Sequence, residues 1–202
     1  MHWPVAAGIL GNRIEYLDTW AGMALLMAKG KTRHLGVSNF APEQLATLLR
    51  HTSHPPSVHQ MELHPYLHQA EWLRWHAEHG IHVTAYSPLA GTNPTYQPGD
   101  PEPLLKNKVL TQIAGRHNAT VAQVALAWGM GRGTSVIPKS AHTAYIEQNF
   151  GSRTLELTKE DREEIAEELG QVRQRYSNPG KGWKVPLFDG LEDSRGEHRE
   201  HS

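Results

Sequence analysis

Cysteine is absent from this 202-residue sequence. Its absence excludes disulfides, thiolate metal sites and cysteine nucleophiles together. Long apolar runs are absent too. The longest, Trp20 to Ala28, falls short of the roughly 20 residues that a membrane-spanning helix requires. Charge of one sign does not dominate, since 20 Lys and Arg against 21 Asp and Glu leave a net charge of −1. Nothing therefore draws the chain toward nucleic acid or an anionic membrane surface. Met1 is not followed by a basic segment and an apolar core, so a secretory signal is not expected. A cytoplasmic enzyme of one domain is the default class at this length.

Histidine is what the sequence has in excess, with 14 residues, which makes its charge sensitive to pH between about 5 and 7. His64 and His68 are four apart, but Pro65 argues against a helix that would align them. No carboxylate spacing completes a metal site, and none is expected.

Hydrophobic periodicity alternates between helix and strand along most of the chain. Tyr16 to Lys29 reads as an amphipathic helix with Leu17, Trp20, Ala24, Leu25 and Met27 toward one side, closed by Gly30. His34 to Ser38 reads as a strand. Pro42 opens a helix carrying Leu45, Leu48 and Leu49 on one face. Val58 to Leu63 is the next strand, Gln69 to His79 a helix stopped by Gly80, and Ile81 to Tyr86 a strand rich in β-branched and aromatic residues. Ala90 to Pro103 holds two glycines and four prolines and reads as a long loop, the kind that often binds or covers a ligand.

Two helices follow, Lys108 to His117 and Val121 to Met130, the second behind the capping box Thr120-Val121-Ala122-Gln123. Thr134 to Ile137 is the last strand, followed by helices over Thr143 to Phe150 and Lys159 to Leu169. The acids of Glu160 to Glu168 read as a solvated face, with Ile165 and Leu169 turned inward. Residues 1–175 form the expected globular part. Residues 176–202 form a tail whose charged end is expected to be disordered.

Five segments share one design, an apolar strand running into a polar end: His2-Trp3-Pro4, Gly36-Val37-Ser38-Asn39-Phe40, Val58 to Tyr66, Val83 to Leu89, and Val136-Ile137-Pro138-Lys139-Ser140. Helical sequence separates them, so the polar ends gather on one rim of a parallel sheet, where α/β folds bind ligands. In this order and at these spacings, the segments resemble the C-terminal portion of the aldo-keto reductase family, from His2 to about Arg175.

The resemblance implies a (β/α)8 TIM-barrel fold, here N-terminally truncated, with the end of strand four and strands five to eight present. It implies reduction of aldehydes and ketones to alcohols with NADPH, or less often NADH. His2 then matches the histidine that orients the substrate carbonyl, and Trp3 a residue lining the substrate pocket. Ser38, Asn39 and Gln60 match groups holding the nicotinamide carboxamide, and Asn and Gln supply the donor and acceptor that an amide needs. Tyr86 matches the ring on which the nicotinamide stacks, and Ser87 and Leu89 match positions beside the pyrophosphate. Lys139 and Ser140 match the 2′-phosphate site, where a cation beside a hydroxyl suits a dianion. Gln148 and Asn149 fall where the family contacts adenine.

Two departures stand out. Tyr145 occupies the place of an arginine that commonly clamps the 2′-phosphate, which leaves NAD open beside NADP. The family's proton-donor tyrosine, with its lysine and aspartate, matches no residue of this sequence. The expectation is a truncated oxidoreductase of weak or no activity, acting on a small carbonyl or alcohol. The alternatives are a non-catalytic dinucleotide-binding or regulatory protein and a gene-model fragment. Half-barrel edges left open could also pair two copies edge to edge as a homodimer.

Overall fold

The computed structural model describes residues 1–7, 13–14, 16–91 and 101–193. The expected tail end at 194–202, residues 92–100 of the long loop, and residues 8–12 and 15 of the stretch between Pro4 and Trp20 lie outside the described residues. Among the described residues, no helix is long and apolar enough to cross a membrane.

The elements alternate as the periodicity predicts. A short antiparallel pair, β1 (Ala6–Ala7) and β2 (Arg13–Ile14), precedes α1 (Tyr16–Ala28). Then come β3 (Gly36–Ser38), α2 (Pro42–His51), β4 (Val58–Glu62), α3 (Ala70–Glu78) and β5 (His82–Tyr86). After the loop follow α4 (Lys108–Arg116), α5 (Val121–Met130), β6 (Ser135–Val136), α6 (Thr143–Gly151), α7 (Lys159–Leu169) and the one-turn α8 (Gly180–Trp183). The strands β3-β4-β5-β6 are ordered as in the sequence, and the β3–β4 and β5–β6 pairs are parallel. Sequential parallel strands with helical crossovers are what β/α repetition produces.

The chain divides into two compact units. The first comprises residues 1–61, 70–83 and 179–202. Its core holds Trp20, Val37, Phe40, Leu45, Leu48, Met61, Trp72 and Val83, joined by Leu187, Phe188 and Leu191. The last three show that the expected tail contributes buried apolar side chains. Trp20 is anchored through its indole N–H, which reaches Thr52 Oγ1 at 3.2 Å and the His54 carbonyl at 3.1 Å. The expected apolar face of α1 is only partly realised. Trp20 is buried and Ala24 and Met27 are half-buried, whereas Leu25 is 62% exposed. Gly30, at φ +68, closes α1: its N–H donates to Met27 and that of Lys31 to Leu26, a left-handed stop that costs glycine little.

The second unit comprises residues 62–69 and 84–178. Its core gathers Leu63, Tyr66, Leu67, Leu110, Ile113, Leu126, Trp128, Ile165 and Leu169, with α4 packed on α5 and α7. The capping box at α5 is present, Thr120 Oγ1 accepting from Gln123 N–H at 3.2 Å and Gln123 Oε1 from Thr120 N–H at 2.9 Å.

Helix α7 departs from the reading of a wholly solvated acidic face, because Asp161 is buried. The carboxylate accepts Thr158 N–H at 2.9 Å, Arg116 at 2.9 Å and His117 Nε2–H at 2.6 Å. Burial alone would raise its pKa, but His117, Thr158 and Arg116 together hold it well below the usual carboxylate range. Replacing Asp161 with alanine removes a cap and two charge-assisted bonds, and about 2–4 kcal/mol of unfolding free energy should go with them. Urea denaturation checks this; a loss below about 0.5 kcal/mol, the level of a neutral surface change, contradicts it.

Candidate functional site

In the first unit, the N-terminal segment and the ends of β3 and β4 meet in polar groups. The Met1 ammonium donates to the Gly36 carbonyl at 2.7 Å, so the His2-Trp3 segment runs beside β3. Partial burial lowers the pKa of this ammonium. Asn39 sits in the turn after β3 with φ +61, a left-handed conformation that asparagine tolerates better than most residues. Four bonds secure the turn. Asn39 N–H donates to Gln60 O, and Asn39 Nδ2 donates to His2 O and to Ser38 Oγ, each at 3.1 Å. Phe40 N–H donates to His59 Nε2, also at 3.1 Å. Ser38 and Asn39 are buried and Gln60 is half-buried.

His2 and Trp3 border this turn differently. The His2 side chain is exposed while its carbonyl is bonded to Asn39, so the ring is left to face a small molecule or solvent. Trp3 is half-buried in an aromatic corner, edge-on to Trp183 at 5.1 Å and to Phe188 at 6.0 Å. The structure thus brings His2, Ser38, Asn39 and Gln60 together, with Trp3 beside His2. It adds Trp183 and Phe188 from the C-terminal segment.

In the second unit, Tyr86 ends β5 half-buried, and Ser87 takes φ +47 in a tight turn closed by Ala90 N–H donating to Ser87 O at 2.8 Å. Leu89 is half-buried in the same turn. Lys139 and Ser140 follow β6 and lead into α6. Lys139 is exposed, and Ser140 Oγ accepts His142 N–H at 3.1 Å. Ser140 and Asn149 line one pocket of about 460 Å3 with Val136, Pro138, Ile146 and Phe150. Gln148 is exposed and is not among its lining residues. Tyr145 is 57% exposed, with its ring edge-on to His142 at 5.3 Å. A neutral aromatic at that place can stack but cannot neutralise a phosphate.

Sequence reasoning passed over two buried polar clusters. Glu62, at the end of β4, is fully buried, and it accepts His64 Nε2–H at 3.0 Å, Tyr176 N–H at 2.7 Å and Ser177 N–H at 2.8 Å. Burial opposes ionisation, yet the His64 bond, the charges of His64 and Arg175 and the Tyr176 N–H outweigh it and lower the carboxyl pKa. Residues 174–177 are thereby held to the Glu62–Tyr66 segment, Gln174 N–H adding a bond to Tyr66 O at 2.8 Å. The second cluster is His59 with His76, in contact at 2.7 Å. A signal for both was available: the segment from His59 to His64 carries four polar residues in six positions, too many for a strand whose burial is ordinary.

Comparison with known proteins accords with this geometry. The family model described as the aldo/keto reductase family matches residues 1–169. An uncharacterized oxidoreductase of Schizosaccharomyces pombe is 38% identical, the alignment covering 96% of this chain and 64% of that protein. The solved aldose reductase of Giardia lamblia superposes with a TM-score of 0.82 at 34% identity, over 94% of this chain and 66% of that one. A Bombyx mori aldo-keto reductase in complex with NADP gives a TM-score of 0.83 at 29% identity, over 93% of this chain and 61% of that one. The chain therefore spans a little under two thirds of the length of the Schizosaccharomyces pombe relative. Its fold is of the (β/α)8 barrel class that the strand series implies. The strand-end turns, the parallel sheet and these likenesses agree, and the chain belongs to the aldo/keto reductase family.

Proposed function

We propose that this chain binds NADP(H) and serves the NADPH-dependent reduction of aldehydes or ketones to alcohols. The observation that carries the reading is the Ser38–Asn39 turn: a left-handed asparagine secured by four bonds, with Gln60 on the next strand. Such a group of donors and acceptors fits a carboxamide. The bound NADP relative and the family match support the same cofactor.

In this reading Tyr86 offers its ring as a stacking face, and Ser87 and Leu89 border the pyrophosphate. Lys139 and Ser140 take the 2′-phosphate, and Gln148 and Asn149 take adenine. NADPH supplies the hydride when bound. His2 presents its ring to the substrate oxygen, and Trp3 with Trp183 forms an apolar wall for the remainder of a small carbonyl compound. The resemblance assigns no residue of these 202 to the tyrosine–lysine–aspartate set that delivers the proton. Turnover by the 202-residue chain by itself is accordingly expected to be weak or nil, with dinucleotide binding retained. An aldehyde assay showing ordinary reductase turnover by this chain overturns that part.

The cofactor assignment has its own test. Lys139→Ala should raise the Kd for NADPH by about 10- to 150-fold, the equivalent of one lost charge-assisted contact, and leave that for NADH within about threefold. Equal effects on both nucleotides would remove Lys139 from the phosphate site.

A further inference from the structure

The buried histidine pair has a proton arrangement that its neighbours dictate. Phe40 N–H can only donate, so His59 Nε2, 3.1 Å away, must carry a lone pair. A neutral His59 ring then bears its proton on Nδ1, which faces His76 Nε2 at 2.7 Å and donates to it. His76 in turn bears its proton on Nδ1, which donates to the Trp72 carbonyl at 2.6 Å. The result is a one-way chain from a backbone N–H after β3, through two imidazoles, to a backbone carbonyl in α3. Each ring nitrogen has a defined role, and neither ring can flip without losing two bonds.

Packing fixes the same geometry. His59 and His76 are 0% and 1% exposed. His59 lies edge-on to both Phe40, at 6.4 Å, and Trp72, at 5.9 Å, and Trp72 lies edge-on to His76 at 4.2 Å. Burial also pushes the His76 pKa down to about 4, so His76 stays neutral across the range in which ordinary histidines titrate.

The turn that this chain reaches is the strained one. Asn39 at φ +61 is a conformation that costs an L-residue roughly 1–2 kcal/mol and persists only where its surroundings over-determine it. Asn39 N–H is tied to Gln60 on β4, and the next N–H, of Phe40, is tied to His59, the neighbour of Gln60 on that strand. We infer that the His59–His76 pair is the positioning device of the Ser38–Asn39 turn, holding the asparagine amide in place for the nicotinamide carboxamide. This rests on the cofactor reading given above. Neither histidine touches the cofactor; both act through the backbone at Phe40.

Two substitutions separate positioning from general packing. Glutamine at 59 puts an amide oxygen near the place of the ring Nε2, where it can accept Phe40 N–H. Asparagine puts its oxygen only near the place of Nδ1. Wild type, His59→Gln and His59→Asn should be titrated with NADPH and with adenosine 2′,5′-bisphosphate, which lacks the nicotinamide half. His59→Asn should weaken NADPH by about tenfold, the worth of one hydrogen bond, and leave the bisphosphate within about twofold. His59→Gln should recover most of the NADPH affinity. Equal NADPH affinity in all three proteins overturns the inference. So does a loss in His59→Asn that NADPH and the bisphosphate share, because that reports damage to the fold.

Amide hydrogen exchange at Phe40, followed by NMR without any nucleotide, gives a readout independent of the cofactor. Protection should hold in wild type and His59→Gln and fall by about tenfold or more in His59→Asn. Should wild type bind no NADPH, the cofactor reading fails while this exchange still decides the positioning role. Equal protection in the three proteins rejects it.

Discussion

Replacing Glu62 with alanine should lower the unfolding free energy by about 3–5 kcal/mol, the usual cost of removing one partner from a buried charged network. The size follows from what is left behind. Tyr176 N–H, Ser177 N–H and His64 Nε2–H all point at this carboxylate, and none would be satisfied by a methyl group. Each unsatisfied buried donor costs about 1–3 kcal/mol. The loss is also local, since residues 176 and 177 would be released from Glu62 within the second unit. Limited proteolysis should therefore open near Tyr176 in Glu62→Ala before the rest of that unit yields. Glu62→Gln keeps an acceptor and should lose clearly less. Equal stability of Glu62→Ala and wild type in urea denaturation would show that the network carries no net energy.

Acidification should destabilise the protein well before its carboxylates titrate. Burial lowers the pKa of His76 to about 4. Burial, followed by the nearby Arg132 charge, does the same for His68, which packs on the Trp128 ring at 4.8 Å. In the unfolded chain both take up a proton near pH 6.5. The unfolded state thus binds more protons, and stability must fall as pH drops. Above about pH 6.5 both contributions are whole; between about 6.5 and 4 they are lost; below about 4 the folded forms protonate too. Each histidine is worth about 1.4 kcal/mol per pH unit in that window, or on the order of 3 kcal/mol across it.

One such histidine lies in each compact unit, so both units should weaken. Urea midpoints at pH 7, 5.5 and 4.5 test this. His68→Gln should show a shallower slope than wild type by one proton, and identical slopes would exclude His68 as a contributor. Asp161 and Glu62, with pKa values held low, have the ordinary carboxylate sign. Their contributions are present above about pH 4 and lost only as pH falls through their lowered values.

Most of the secondary structure was legible because the local rules agree with one another. Pro42 at the head of α2, the Thr120–Gln123 box, Thr158 at the head of α7, and Gly30 and Gly80 at helix ends each carry their meaning in one or two residues. Helices α5 and α6 fall within a residue of the expected bounds, and α7 matches them. The strands are shorter than the runs suggested, since pairing ends where the chain turns: β6 keeps only Ser135 and Val136 of four expected residues.

Tertiary facts were not legible. The Thr158–Asp161 spacing marks Asp161 as a cap but not as buried; its burial depends on Arg116 and His117 at the end of α4. Glu62 and Tyr176 are 114 positions apart, and no periodicity encodes that meeting. The exposure of Leu25 shows the converse, an apolar side chain with helical spacing that no described residue covers. In the candidate site, the Ser38–Asn39–Gln60 group was readable because strand ends concentrate there. The supports behind it were legible only as an excess of polar residues along β4; that His59 meets His76 was not, since a histidine inside a strand carries no mark of its partner.

The most direct measurement is a titration of the 202-residue chain with NADPH, following nicotinamide fluorescence and thermal melting in the same samples. Saturable binding should appear, and at 100 times Kd the Tm should rise by roughly 5–10 °C, as about 2.7 kcal/mol of linkage implies for a chain of this size. A cooperative melt that NADPH leaves unmoved, with no saturable fluorescence change, would contradict the assignment of this chain as an NADP(H)-binding member of its family.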